Sequence, residues 1–201
     1  MTKETPTFIF IGRSGCGKGT QIDLLKEYLS SKNHTFKSIV MGDIFRSFFK
    51  EPGYVKDIAR DVSINQGKFQ PDFLTNALFI RNTIDIADEE SVLLFDGYPR
   101  TVNQLGIIKE LLTYIKRENN VVIVNIEVSR ENVKARMLSR GRADDAHGPI
   151  ESRLNEYDKL IVPMIEVAKG DSFFTYLEVN GEGSMQEVHT EVINKINSFL
   201  I

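Results

Sequence analysis

A glycine-rich turn separates an apolar run from a helical pattern near the start of the chain. After the apolar run 8–11, the sequence continues as Gly12-Arg13-Ser14-Gly15-Cys16-Gly17-Lys18-Gly19-Thr20. Glycines allow the backbone to curl so that several N–H groups point into one concavity, and the N-terminus of the following helix adds partial positive charge. Lys18 adds a full positive charge. This combination predicts a loop that binds the phosphates of a nucleotide.

An acidic residue follows a later apolar run, where the sequence is Asp96-Gly97-Tyr98-Pro99-Arg100. The carboxyl end of a buried parallel strand faces the crevice in which α/β sheets bind ligands. Asp96 is therefore a candidate to hold Mg2+ through water beside the phosphates. Asp-Gly and Pro-Arg are also ordinary turn formers, so this pentapeptide alone fits a simple turn equally well.

The last third of the chain contains four arginines, at positions 136, 140, 142 and 153. Arg136 and Arg140 are four residues apart on a predicted helix and share one face. Phosphoryl transfer depends on positioning and electrostatics, and a guanidinium group can bind two phosphate oxygens at once. Any one of these arginines, taken alone, fits a surface ion pair with a nearby acid better than a catalytic role.

Composition narrows the function classes. The chain has 201 residues, with 25 lysines and arginines against 28 acids, a net charge of −3. A cationic site must therefore be local, and we expect no nucleic-acid partner. The single cysteine excludes an internal disulfide and a cysteine-rich metal cluster, which favours a cytoplasmic protein. No apolar run is long enough for a signal sequence or a membrane span, so we expect no membrane partner.

Strand and helix patterns alternate along the chain. The five predicted strands are Phe8–Ile11, Ser38–Met41, Val92–Phe95, Val121–Val128 and Phe173–Val179. Their nearly continuous apolar character is typical of parallel strands covered on both faces. Alternation with helices predicts an α/β fold with right-handed crossovers. Two intervals differ: 41–88 contains three helical stretches without a strand, and the polar segment 140–149 interrupts a helical pattern.

These motifs, in this order, resemble the adenylate kinase family of nucleoside monophosphate kinases over the whole chain. Lys18 is followed by Gly19 and Thr20, as in that family, whereas a general phosphate loop has Ser or Thr directly after Lys. Residues 96–100 are similar to its DG(F/Y)PR motif, and 42–46 to its GDLLR segment. The resemblance implies a P-loop kinase-type three-layer fold with a five-stranded parallel sheet. It also implies a core (1–41, 89–139, 150–201), a helical NMP-binding subdomain (42–88), a very short lid (140–149) and a monomer.

The resemblance assigns a role to each matching residue. On the ATP side it implies Gly15, Cys16, Gly17, Lys18, Gly19, Thr20, Arg136, Arg140 and the backbone of Gly183. On the AMP side it implies Met41, Arg46, Lys68, Phe69, Gln70, Gly97, Tyr98, Pro99, Arg100, Gln104, Arg142 and Arg153. The catalytic set would be Lys18, Arg100, Arg140, Arg142 and Arg153. Gln104 would hydrogen-bond the adenine of AMP, where pyrimidine-specific relatives have Asn.

The implied reaction is ATP plus AMP giving two ADP, with Mg2+ as the cofactor. Two departures concern the base of the acceptor: Met41 stands where Thr is common, and Gln70 where an aliphatic residue is usual. A UMP/CMP-type kinase on the same fold is the alternative enzyme. A nucleotide-binding regulatory protein without turnover is the alternative from another class. We expect no zinc site, because His34, His147 and His189 are scattered and form no ligand spacing.

Overall fold

The computed structural model describes residues 5–140 and 147–200, apart from the side chains of residues 140 and 147–149. Five strands form one parallel sheet in the order β2-β3-β1-β4-β5. The strands are β1 Thr7–Ile11, β2 Phe36–Val40, β3 Val92–Asp96, β4 Val121–Glu127 and β5 Thr175–Asn180. The predicted parallel sheet is confirmed, with strand ends shifted by a few residues.

Helices connect the strands and cover the sheet. They are α1 Lys18–Ser31, α2 Met41–Lys50, α3 Tyr54–Arg60, α4 Asp72–Ile86, α5 Val102–Tyr114, α6 Arg130–Arg140, α7 His147–Glu156, α8 Val162–Lys169 and α9 Met185–Ile196. A π-helical turn, Asp61–Asn65, follows α3, and another, Tyr157–Ile161, joins α7 to α8. In the part of the chain that the structure describes, no helix is long and apolar enough to cross a membrane.

Successive residues of each strand point to opposite faces of the sheet, which produces two apolar layers. In β1, Phe8 and Phe10 belong to the layer that packs against α1 and α9, and Ile9 and Ile11 belong to the layer that packs against α5 and α8. The apolar face of α1, formed by Ile22, Leu25 and Leu29, is buried in the first layer. The predicted α/β fold with three layers is therefore confirmed.

The boundary between β2 and α2 differs from the prediction. Met41 was expected to end the strand, but β2 ends at Val40 and Met41 is the first residue of α2. The apolar run continues across the boundary because Met41 is buried in the second apolar layer, so hydrophobicity does not mark where the strand stops. Asp43 in the first turn favours the helix, because a carboxylate is stabilised near a helix N-terminus.

The interval 41–88 contains α2, α3 and α4 and no strand, as the sequence predicts. A capping box begins α9. The Ser184 hydroxyl accepts a hydrogen bond from the Glu187 amide, and the Glu187 carboxylate accepts one from the Ser184 amide at 2.8 Å. The residues expected to form the lid fall largely outside the described part of the chain.

Candidate functional site

The glycine-rich loop has the curled backbone that its composition predicts. Gly12, Gly15 and Gly17 have φ angles of 139°, 87° and 101°, a region that residues with a Cβ rarely adopt. Gly15 also packs closely against α6, since a Cβ there would lie 2.9 Å from the carbonyl oxygen of Val133. The loop is therefore held in place by α6 as well as by β1 and α1.

Lys18 is the first residue of α1, and its side chain bends back over the loop. Its Nζ donates hydrogen bonds to the carbonyl oxygens of Gly12 at 2.7 Å and Arg13 at 3.1 Å. Cys16 is buried, with its Sγ 3.6 Å from the Lys18 ammonium. Lys18 and Thr20 line the main cavity, which has a volume of about 770 Å³.

Opposite the loop, the cavity is bounded by α2, the segment 68–70, the end of β3, α6 and α7. Among the described residues, the cationic side chains that line it are Lys18, Lys26, Arg46, Lys68, Arg100, Arg136 and Arg153. The carboxylates are Asp23, Asp43 and Asp96. A cationic site thus exists within a chain whose net charge is −3. Such a site attracts polyanionic ligands.

Asp96 is the last residue of β3 and faces the phosphate loop across the cavity. Burial raises the pKa of its carboxyl above the ordinary value, while the positive charges of Lys18 and Arg100 act in the opposite direction. Asp43 adds a smaller upward contribution. The end of β3 therefore presents the Asp96 carboxyl group beside Lys18 and Arg100. Its place at the carboxyl end of a parallel strand is the one that the sequence predicts.

Arg100 is held by its neighbours in the 96–100 turn. Its Nε donates to the Gly97 carbonyl at 2.8 Å, and its guanidinium carbon lies 4.4 Å from the Phe69 ring centroid. Burial lowers the pKa of the guanidinium to about 10; the carboxylate of Asp96 opposes this shift, and the positive charge of Arg153 adds to it. The orientation of Arg100 is therefore fixed, and its positive charge is only partly balanced by the carboxylate of Asp96.

A second cavity of about 310 Å³ adjoins the first, and Phe69, Gly97 and Arg100 line both. Gln104 lines the second cavity, and each end of its buried amide makes one hydrogen bond to a protein group. Its Oε1 accepts from the Arg100 amide at 2.8 Å, and its Nε2 donates to Asp72 at 2.8 Å. The side chain expected to contact adenine thus also connects the 96–100 turn to α4.

Gln70 lines both cavities and is buried. Its Nε2 donates to the Ala59 carbonyl at 2.7 Å and to the Ser63 hydroxyl at 2.8 Å. These bonds tie the segment 68–70 to α3 and the π-helical turn that follows it. A polar residue at this position therefore supports the wall that the two cavities share.

The other residues predicted for the AMP side divide into exposed and buried groups. Lys68 and Arg46 are exposed on the cavity wall, and Arg46 pairs with Asp43 one turn earlier on α2. Tyr98 is buried, stacks on Phe79 and donates to the Asn76 side chain. Met41 and Pro99 are likewise buried. The buried residues Met41, Tyr98 and Pro99 therefore mainly support the turn that holds Arg100.

Two of the predicted arginines lie on the cavity wall. Arg153, on α7, donates to the Ser63 carbonyl at 3.5 Å, and Arg136, on α6, donates to the Gly181 carbonyl at 3.1 Å. Gly183 is exposed in the turn between β5 and α9, and it is not part of the main cavity wall. Arg142 and the side chain of Arg140 lie outside the described residues, so their predicted roles stay predictions.

Asp72 is a residue that the sequence analysis did not select. Its carboxylate accepts hydrogen bonds from the side chains of Thr101, Asn103 and Gln104, with distances from 2.8 to 3.2 Å. It thereby joins the N-terminus of α4 to that of α5. An acid after Pro71 signals a helix start, but nothing in the local sequence indicates partners about 30 residues away.

The family model described as adenylate kinase matches residues 10–172. The chain belongs to the adenylate kinase family. Curated relatives named adenylate kinase from Leptospira biflexa serovar Patoc and Corynebacterium diphtheriae are 33% and 35% identical to it. Each alignment covers 94% of this chain, with 98% and 97% of the relative. Adenylate kinase 1 of Nostoc sp. is 34% identical over 92% of this chain and 95% of its own length.

Within the adenylate kinase family match lie the phosphate loop, the 96–100 turn and the helices α2 to α8. The matched range ends at residue 172, before β5, so it does not include Gly183. The resemblance inferred from the motifs is confirmed. The individual site residues are not tested by these comparisons.

Proposed function

We propose that this chain reversibly transfers the terminal phosphoryl group of ATP to AMP, giving two molecules of ADP. The observation that carries the proposal is a single cavity bounded by the phosphate loop on one side and by Arg46, Arg100 and Arg153 on the other. Direct transfer requires a donor and an acceptor phosphate held face to face. The family membership and the names of the relatives support the same reaction.

In this proposal, the loop amides and Lys18 bind the β- and γ-phosphates of ATP. Arg46 and Arg100 bind the phosphate of AMP, and Arg153 stabilises the charge that spreads over the transferring group. Arg136, Arg140 and Arg142 complete the cationic set on the ATP and lid side. We assign no general base, because positioning and electrostatic stabilisation supply most of the catalysis in phosphoryl transfer. Closure of the lid, 140–149, excludes water.

The residues around Asp96 fit Mg2+. Asp96 offers a hard oxygen donor across from the phosphate loop, and Thr20 adds a hydroxyl on the cavity wall. Among the described side chains, no group of three or more His, Cys, Asp or Glu residues is arranged to enclose a metal ion. Mg2+ is commonly held by one or two carboxylates together with water and substrate phosphates. Bound Mg2+ would neutralise charge on the phosphate oxygens.

The identity of the acceptor base depends on the second cavity. AMP is the proposed acceptor, because an amide can pair with the complementary edge of adenine. Gln104 keeps one N–H and one carbonyl lone pair for adenine, because its bonds to Asp72 and to the Arg100 amide use one of each. A UMP/CMP-type kinase would use the same fold and the same phosphate contacts.

A coupled assay of ADP formation, with ATP and either AMP, CMP or UMP, tests the proposal. We expect the highest kcat/KM with AMP. A higher kcat/KM with UMP or CMP would contradict AMP as the acceptor and support the pyrimidine alternative. Nucleotide binding by calorimetry without turnover of any monophosphate would instead support the regulatory alternative.

A further inference from the structure

We propose that Arg13 is a positioning residue that couples the phosphate loop to α7, the helix on which Arg153 lies. The proposal rests on the function proposed above, in which Arg153 contacts the transferring phosphoryl group. Arg13 follows Gly12 in the loop, but its side chain lies against β4 and the π-helical turn after α7, and it is not among the residues that line the main cavity.

The Arg13 guanidinium contacts the side chains of three residues in two elements, β4 and the π-helical turn after α7. Nη2 donates to the Asp158 carboxylate at 3.0 Å, and Nη1 lies 3.4 Å from the Glu127 carboxylate at the end of β4. The guanidinium carbon is 4.6 Å from the ring centroid of Tyr157, within the range of a cation–π contact. The Arg13 side chain is 19% exposed, whereas the side chains of Glu127 and Asp158 are 39% and 43% exposed.

Asp158 also belongs to a charged cluster that joins α6 to α7. Arg130, at the start of α6, donates to Asp158 at 2.8 Å, to Glu151 at 2.8 Å and to Asn155 at 2.7 Å. Lys134, one turn later on α6, pairs with the same Glu151. The face of α7 that holds Glu151 and Asn155 is thereby fixed to α6, and Asp158 links this cluster to the phosphate loop.

Arg153 lies on the same helix, between Glu151 and Asn155, but its side chain reaches the cavity and the Ser63 carbonyl. A rotation or shift of α7 would therefore move Arg153 relative to the phosphates. The backbone of Arg13 completes the connection, because its carbonyl oxygen accepts a hydrogen bond from Lys18 Nζ at 3.1 Å. One residue thus contacts both the loop lysine and the π-helical turn that continues the arginine helix.

This arrangement predicts a specific kinetic consequence. Loss of the Arg13 side chain leaves the loop amides and Lys18 available to bind ATP, but it releases α7 from the loop. A misplaced Arg153 weakens the transition state more than the ground state, which lowers kcat more than it changes the KM for ATP. If Arg13 only stabilised the fold, its substitution would lower Tm without lowering kcat more than it changes the KM for ATP.

The test compares Arg13→Met, Asp158→Asn and the double variant in the coupled assay, at a temperature where each is folded by circular dichroism. We expect each single variant to lose at least fivefold in kcat with less than a twofold change in KM for ATP. The double variant should lose less than the product of the two single losses, because both substitutions break the Arg13–Asp158 contact, although Asp158→Asn also removes the pair with Arg130. Arg13→Lys should recover most of kcat, since an ammonium can still pair with Asp158.

Two matched controls isolate the coupling. Arg81→Met removes an exposed partner of an ion pair on α4, with Asp85 at 2.9 Å, and should leave kcat unchanged. Arg130→Met loosens α7 from α6 without touching the loop, so combining it with Arg13→Met should reduce kcat further. A kcat for Arg13→Met within twofold of the unmodified protein, or losses that multiply in the Arg13→Met/Asp158→Asn variant, would overturn the proposal.

Hydrogen exchange separates this proposal from the proposed reaction. Amides of residues 151–161 should exchange faster in Arg13→Met than in Arg81→Met, whether or not the protein turns over any substrate. Equal exchange in the two variants would overturn the coupling, even in a fully active kinase. An unmodified protein that fails to form ADP from any monophosphate would instead overturn the proposed function.

Discussion

Replacement of Arg100 by lysine should convert an activity that is insensitive to alkaline pH into one that falls above pH 8. Arg100 lies where both cavities meet, and in the proposed mechanism it binds the phosphate of the acceptor. A lysine keeps the positive charge but replaces the planar guanidinium by a single ammonium. The same surroundings then lower the pKa of an ammonium group, which loses its proton much more easily than a guanidinium group does.

The size of the effect follows from the electrostatics of Arg100. Burial, to which the charge of Arg153 adds and which Asp96 opposes, lowers the pKa of Arg100 from 12.5 to about 10. An ordinary lysine has a pKa of ~10.4, so an equal fall would place the pKa of Lys at this position at about 8. At pH 7 it would be about nine-tenths charged, and at pH 9 only about one-tenth.

The measurement is kcat/KM for AMP between pH 7 and pH 9.5, which reports ionisations of the free enzyme and free substrate. The phosphate of AMP is fully ionised over most of this range, because its second pKa is about 6. We expect kcat/KM of Arg100→Lys to fall about tenfold from pH 7 to pH 9 relative to the unmodified protein. Any fall in kcat/KM that is already present at pH 7 measures the loss of the two-point contact that a guanidinium group makes with phosphate.

Two variants control for other causes. Arg100→Met should be impaired by the same factor at every pH, and Arg81→Lys, on the exposed face of α4, should follow the unmodified protein. If the ratio of Arg100→Lys to the unmodified protein is constant up to pH 9.5, the cavity does not desolvate this position or the acceptor does not bind there. Either result would refute the reasoning.

Three further outcomes are expected. Lys18→Ala should lower kcat by orders of magnitude with little change in Tm, because the described Nζ contacts are all with Gly12, Arg13 and Cys16 of its own loop; near-normal turnover would overturn the loop's role. Activity should disappear when Mg2+ is chelated and return with added Mg2+, whereas a zinc-selective chelator should change neither activity nor Tm; refolding that needed zinc would contradict this. Gln104→Ala should raise the KM for AMP and narrow the preference for AMP over CMP and UMP. It should also lower Tm, because Asp72 and the Arg100 amide lose a buried partner; an unchanged Tm with normal AMP kinetics would show that the amide performs neither task.

The fold could be predicted because its signals are local. The apolar runs that form β1 and β4, the apolar stripe of α1 and the capping box at Ser184 each lie within a few consecutive residues. The error at Met41 has the same origin, since a buried first helical residue extends the apolar run of the strand before it. Periodicity reports burial, and it does not report the change in backbone conformation that ends a strand.

Parts of the site could not be predicted because their contacts are distant in the chain. Arg13 and Asp158 are 145 positions apart, and Asp72 lies 32 positions before Gln104. No spacing rule connects such pairs, and each residue by itself resembles an ordinary surface charge or helix start. The π-helical turn at 157–161 was also missed, since its sequence has no signature that distinguishes it from the α-helices on either side.

The repulsion between Arg100 and Arg153 explains why the contacts that hold these two side chains are needed. Arg100 and Arg153 are close enough for one to lower the pKa of the other, and burial adds to the cost of keeping Arg100 charged. A flexible site would relieve this repulsion by moving the two side chains apart. The Gly97 carbonyl, the Phe69 ring and the Ser63 carbonyl hold the two guanidinium groups where they are. In the proposed reaction, a bound phosphate would compensate these charges without any such movement, so the electrostatic cost borne by the folded protein would become binding energy for the anion. That binding energy would increase as charge accumulates on the transferring group.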